Sequence, residues 1–256
     1  MTPLALAFLL SFLAGAASAL GGVLSFFIKK ENLAALAIGL GFSAGVMLYV
    51  SFAELLPHAK TALTLLYGTT AGAWLTVGLF FAGTLLALGV DRCLPPLHLK
   101  ESSLQPSAKL KRTGLFTALT LILHNFPEGL ATFFSALDNL TLGLSIALAV
   151  AIHNIPEGMA VALPVYHATG NRRKAFWASA ASGMAEPVGA AAGYFILNYF
   201  LHEAILGILF AAVSGIMVYL ALDELLPTAH DYGHEHQVIS GVLAGMAVMA
   251  IVLLVF

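Results

Sequence analysis

Apolar residues run along this chain in long unbroken stretches, with polar residues gathered between them and at a few places inside them. Eight stretches stand out, near 4–28, 33–57, 69–90, 114–137, 140–166, 175–200, 204–227 and 238–256. A helix of about 20 apolar residues crosses the roughly 30 Å hydrocarbon core of a bilayer, and each stretch is of that order. A closed β-barrel would also satisfy every backbone group in lipid, but it would show short alternating strands instead of continuous apolar runs. The pattern therefore predicts an all-α integral membrane protein of eight transmembrane helices, forming a single transmembrane domain over 1–256.

Composition agrees. Hydrophobic residues make up 60% of the 256 and charged residues only 9%, a surface no soluble domain of this length carries. Ala17-Ser18-Ala19 resembles a signal-peptide cleavage site, yet no basic residue precedes it and Lys29 and Lys30 follow, so the first stretch reads as a spanning helix. The lone Cys93 excludes an internal disulfide and a thiolate metal cage. Of the 11 basic residues, all but Lys60 fall in the first, third or fifth loop, which places those loops in the cytoplasm and both termini outside, in a cell (inner) membrane. The long segment near 91–113, with Pro95-Pro96, Ser102-Ser103 and Pro106, reads as a cytoplasmic connector.

Two internal repeats are visible. Gly45 to Ala59 (GVMLYVSFAELLPHA) matches Gly215 to Ala229 (GIMVYLALDELLPTA), in the second and seventh stretches. Those two cross in opposite directions, the mark of an inverted-topology repeat in transporters. Glu54 is then expected toward the outer mouth and Glu224 toward the inner one.

The second repeat carries the chemistry: His124-Asn125-Phe126-Pro127-Glu128-Gly129 in the fourth stretch and His153-Asn154-Ile155-Pro156-Glu157-Gly158 in the fifth. His and Glu four residues apart share one helix face, about 6 Å apart along the axis. Pro127 and Pro156 each remove a backbone donor and can free the carbonyls of Leu123 and Ile152. Both motifs lie about midway across the bilayer, and the short turn at Asp138-Asn139 makes the two helices an antiparallel pair at the centre of the fold. Glu186 is a third acid at similar depth. Three carboxylates cannot all stay ionised in hydrocarbon without a cation, and a divalent metal supplies that charge. Imidazole, amide and carboxylate suit Zn²⁺ and its first-row neighbours better than Mg²⁺ or Ca²⁺. The candidate ligands are His124, Asn125, Glu128, His153, Asn154, Glu157 and Glu186, enough for two adjacent ions bridged by Glu128 and Glu157. Polar residues that merely tie helices together are the alternative reading, and a duplicated six-residue motif plus a third acid is more than that role needs. Glu54, His58, Asp223 and Glu224 lie near helix ends and read equally as solvated mouth residues or transient ligands. His230, His234 and His236 read as a polar loop.

With HNFPEG, HNIPEG and the following Ala-Val-Ala-x-Pro-Val-Tyr at 160–166, the chain resembles the ZIP (Zrt-/Irt-like protein) metal transporters over essentially its whole length. The resemblance implies uptake of Zn²⁺ into the cytoplasm, a homodimer and a binuclear site. In that site His124, Glu128, His153 and Glu157 would hold one ion. Asn125, Asn154 and Glu186 would join the two glutamates around a second. A connector with His98 as its single histidine departs from many eukaryotic members. Asn and Glu stand in the fifth stretch where many zinc-selective members carry more His, which implies a wider range including Fe²⁺, Mn²⁺, Co²⁺ and Cd²⁺.

Competing functions fare worse. A zinc protease needs His-Glu-x-x-His and a di-iron oxygenase Glu-x-x-His, and neither string occurs around these motifs, so no enzyme is expected. A metal-selective channel remains the rival to a carrier. The expected partners are divalent ions as cargo, lipid and a second copy of the chain, with no nucleic acid and no resident cofactor.

Overall fold

The computed structural model describes residues 2–27, 33–93, 121–122, 125–199, 204–231 and 235–255, and among them every regular element is helical. In chain order these are α1 (Pro3–Leu24, closing in a 3-10 turn, Ser25–Phe27), α2 (Leu33–Val50), α3 (Leu56–Tyr67), α4 (Thr69–Cys93), α5 (125–138), α6 (Leu140–Thr169), α7 (Arg172–Gly183), α8 (Ala185–Tyr199), α9 (Ala204–Leu220), α10 (Leu226–Asp231) and α11 (Glu235–Val255). Five-residue π-helical segments, Ser51–Leu55 and Ala221–Leu225, join α2 to α3 and α9 to α10. Of the connector expected near 91–113, residues 91–93 instead continue α4, and 94–113 lie outside the described residues, as do 114–120 of the fourth stretch, His124, His234, Lys29 and Lys30.

Six helical runs among the described residues are long and apolar enough to cross a membrane: Pro3–Phe27, Ala37–Tyr67, Thr69–Arg92, Leu140–Thr169, Ala204–Asp231 and Glu235–Val255. The chain is thus a helical membrane protein. Of the other two apolar stretches, the fourth is described at 121–122 and 125–138, and the sixth is broken at Met184 into α7 and α8. The second run continues well past position 57, because Pro57 sits in the first turn of α3, where its missing N–H costs no helical bond.

Local chemistry sets the helix ends. Thr2 accepts from the Ala5 amide ahead of Pro3, and Asn139 accepts from the amides of Thr141 and Leu142 to start α6. Gly170, in the left-handed region at φ 62°, ends α6, and Asn171 caps α7 at once through the Lys174 amide.

Helices α1, α6, α7 and α8 pack together, and α5 joins them where Phe133 meets Phe8 of α1 and Gly189 of α8 meets the Phe126 carbonyl. On the other side α2 packs on α11, and α3, α4 and α9 pack on one another. Helices α2 and α6 meet between the two groups, where Ser43 Oγ donates to the His153 carbonyl at 2.9 Å. Small residues permit the closest crossings: a Cβ at Gly129 would strike the Glu186 carbonyl, and one at Gly158 the Ser18 carbonyl. With no hydrophobic drive between helices in lipid, such backbone proximity supplies the dispersion contacts that hold the bundle.

The two π segments fall at the same five places in the two copies of the 45–59 and 215–229 repeat. The Leu56 and Leu226 amides reach back to the carbonyls of Ser51 and Ala221, one residue farther than in an α-helix. A proline follows each. In an α-helix its ring would clash with the carbonyl four residues earlier, and the widened turn relieves that contact.

Candidate metal centre

The α5–α6 hairpin turns at Asn139, whose amide bonds the Ser135 carbonyl, and Gly143 seats directly on Ala136. Glu128 lies ten residues before Asp138 and His153 thirteen after Leu140. At about 1.5 Å per residue the two reach similar depth on facing helices. Helix α8 adds Glu186 in its first turn, presented by the break at Met184. Asn125, Glu128, His153, Asn154, Glu157 and Glu186 are all fully buried, at 0% exposure.

His153 Nε2 stands 3.0 Å from Glu128 Oε1, and its Nδ1 stands 3.0 Å from the Ala149 carbonyl. A carbonyl oxygen only accepts, so Nδ1 carries a proton, and Nε2 meets the carboxylate either through a second proton or with its lone pair. Two acceptors at that separation repel unless a proton or a cation lies between them. Zinc bonds imidazole nitrogen and carboxylate oxygen at about 2.0–2.2 Å, so one ion can engage both atoms with little movement. The Ala149 carbonyl thus does for His153 what an outer-shell partner does in metal sites: it fixes tautomer and ring orientation.

The two asparagines are oriented in the same sense. Asn125 Nδ2 donates to the Ser182 carbonyl at 3.1 Å, and Asn154 Nδ2 donates to the Ala14 carbonyl at 3.0 Å and to Glu186 Oε1. With both amide nitrogens committed, Asn125 Oδ1 and Asn154 Oδ1 stay buried without a hydrogen-bond partner among the described residues, as does Glu186 Oε2. Three buried acceptors without donors are costly unless a cation serves them. Gly129, next to Glu128, lies against the Glu186 backbone, so the fully buried Glu186 stands beside the hairpin that carries Glu128 and Glu157.

The structure thus links His153 to Glu128 and Asn154 to Glu186, and buries Asn125 and Glu157 with them; His124 lies outside the described residues. Sequence reasoning missed the backbone carbonyls of Ala14, Ala149 and Ser182, which orient the side chains of Asn154, His153 and Asn125. Only Ala149, at the i−4 position of His153, left a local signal. Glu54, His58, Asp223 and Glu224 do not lie near helix ends as expected, because the runs continue through the π segments to Tyr67 and Asp231. Glu54 Oε1 pairs there with His58 Nε2 at 3.3 Å. Glu224 joins Asp223 and Asp91 of α4, with one carboxylate oxygen from each within 4.8 Å of the others. Tyr219 donates to Asp223 at 3.0 Å and reaches Asp91 at 3.4 Å. Asp91 escaped the sequence reading because its partners are more than a hundred residues away.

The family described as ZIP Zinc transporter matches residues 96–253. Curated relatives named Zinc transporter ZupT cover nearly all of the chain. The protein from Chlorobaculum parvum is 52% identical, with 98% of this chain and 97% of the relative aligned. Those from Akkermansia muciniphila and Streptococcus mutans are 49% and 48% identical, over 96% and 98% of this chain and 96% and 97% of their own lengths. A buried cluster of nitrogen and oxygen donors on a helical hairpin and a full-length likeness point the same way: the chain belongs to the ZIP family of zinc transporters.

Proposed function

We infer that the protein is a secondary transporter that carries divalent metal ions, chiefly Zn²⁺, into the cytoplasm. The His153–Glu128 pair carries this reading, since a ring nitrogen and a carboxylate oxygen 3.0 Å apart and fully buried are placed to share one cation. Two ions fit the donor set, one among His124, Glu128, His153 and Glu157, the other among Asn125, Asn154, Glu186 and the two glutamates. The mixed donors, with amide oxygens in place of further imidazoles, favour a range that includes Fe²⁺, Mn²⁺, Co²⁺ and Cd²⁺. The working form is an eight-span inverted repeat around α5 and α6, a homodimer in the inner membrane with both termini outside. The six apolar runs, the matched π segments and the distribution of basic residues support that arrangement.

Zinc uptake into proteoliposomes, measured against each competing ion and under an imposed pH gradient, tests the reading. Flux that saturates and is competed by the other ions is expected. Flux linear in zinc to high concentration would indicate a channel, and no zinc flux at all would overturn the assignment.

A further inference from the structure

At the end of the α6–α7 corner lies an open groove of about 520 Å³, lined by Val165 and Thr169 of α6, by Asn171, and by Arg173, Lys174 and Trp177 of α7. Its polar neutral groups are already engaged. Thr169 Oγ1 donates to the Val165 carbonyl at 2.7 Å and accepts from the Asn171 amide at 3.2 Å, while Asn171 Oδ1 accepts from the Lys174 amide at 3.1 Å. The adjoining Arg172 is also engaged, its guanidinium 5.6 Å from the Phe26 ring centre. Arg173 and Lys174 are different. Both are exposed, and neither is paired with an acidic side chain among the described residues.

We propose that this groove binds the headgroup of an anionic phospholipid, with Arg173 and Lys174 on the phosphate and Trp177 against the glycerol and the first acyl carbons. Two observations single out a lipid over a free anion. The groove pairs its cations with an apolar wall, and Trp177 is 59% exposed in a chain whose apolar helices face hydrocarbon. A tryptophan with one wet and one apolar edge belongs at the headgroup level, and basic pockets between helices at that level select anionic headgroups. The distribution of basic residues assigns this end to the cytoplasm, whose leaflet carries the anionic lipids. Helix α6 holds His153, Asn154 and Glu157, and α7 supplies the Ser182 carbonyl that orients Asn125. A bound headgroup at their corner therefore anchors both site-bearing helices at a set depth.

The chain has two tryptophans, so Trp74→Phe leaves Trp177 as the sole reporter. The purified protein in zwitterionic detergent is titrated with phosphatidylglycerol brominated on its acyl chains, and fluorescence quenching is read. Saturable quenching is expected, weakened about fivefold by Arg173→Gln or by Lys174→Gln and unaffected by Arg92→Gln, which lies outside the groove. Added salt should weaken binding by the unsubstituted groove, a readout that stands even if a variant fails to fold. Equal quenching by brominated phosphatidylcholine would overturn the proposal. So would displacement by inorganic phosphate as effective as by unbrominated phosphatidylglycerol, or quenching indifferent both to salt and to loss of the two cations.

Discussion

At the His153 ring, the bond from Nδ1 to the Ala149 carbonyl leaves Nε2 facing Glu128, so removing the carboxylate takes away the oxygen that the proposed cation would share with the ring. Glu128→Ala or Glu157→Ala should cut zinc flux in proteoliposomes by at least the roughly 10- to 100-fold that lost outer-shell partners cost metal sites, with insertion unchanged. Near-normal flux in either variant would remove the bridging role. Asn154→Asp is a sharper probe. Asparagine donates to Ala14 and Glu186 at once, whereas aspartate turns two acceptors on them. Without metal the variant should lose about 1.5–3 kcal/mol, seen as a lower melting temperature that added zinc or manganese restores. Competition by Mn²⁺ against Zn²⁺ should also rise, because a carboxylate suits harder ions than an amide does. Unchanged competition would argue against the amide as a ligand.

Between elements, the site depends on how closely α5 can approach α8. Gly129 lies against the Glu186 backbone, so Gly129→Ala must push apart the helices that bring Glu128 and Glu186 together. A loss of about 1–3 kcal/mol is expected from such overpacking, together with a large loss of zinc flux. At Gly78 on α4 an added methyl would meet nothing within 4 Å, and Gly78→Ala should instead be neutral or stabilising by up to about 1 kcal/mol, with transport intact. Melting temperatures and fluxes of the two variants, measured side by side, separate a contact effect from a general one; equal damage in both would remove the close approach as its cause.

For the molecule as a whole, the matched π segments put Glu54 and Glu224 at equivalent places in helices expected to cross in opposite directions. In a Cys93→Ser background, Glu54→Cys should react readily with an impermeant thiol reagent added outside. Glu224→Cys should react only when the inner face is opened. Equal labelling from outside would mean that the orientation or the repeat has been misread. His58 beside Glu54, and Asp91 and Asp223 beside Glu224, show that the two π segments have chemically distinct surroundings although the repeat strings are alike.

Much of this was legible in the linear order of residues because its causes are local or periodic. Continuous apolar runs demand helices in lipid, prolines and glycines mark where those helices bend or touch, and a His with a Glu four residues on must share a face. The duplicated motif named His124, Asn125, Glu128, His153, Asn154 and Glu157, and the depth of Glu186 added a seventh ligand candidate; the structure buries all of these that it describes, His124 lying outside the described residues. Tertiary structure alone decided which atoms face one another. Nothing in the string tells that Asn154 reaches across to Ala14 and Glu186, that Asn125 leans on Ser182, or that Asp91 joins Glu224, since each is a contact between distant segments. The π segments and the break at Met184 were hidden too: a proline announces that a helix is perturbed, but whether the chain widens, kinks or stops there depends on the neighbours that pack against it.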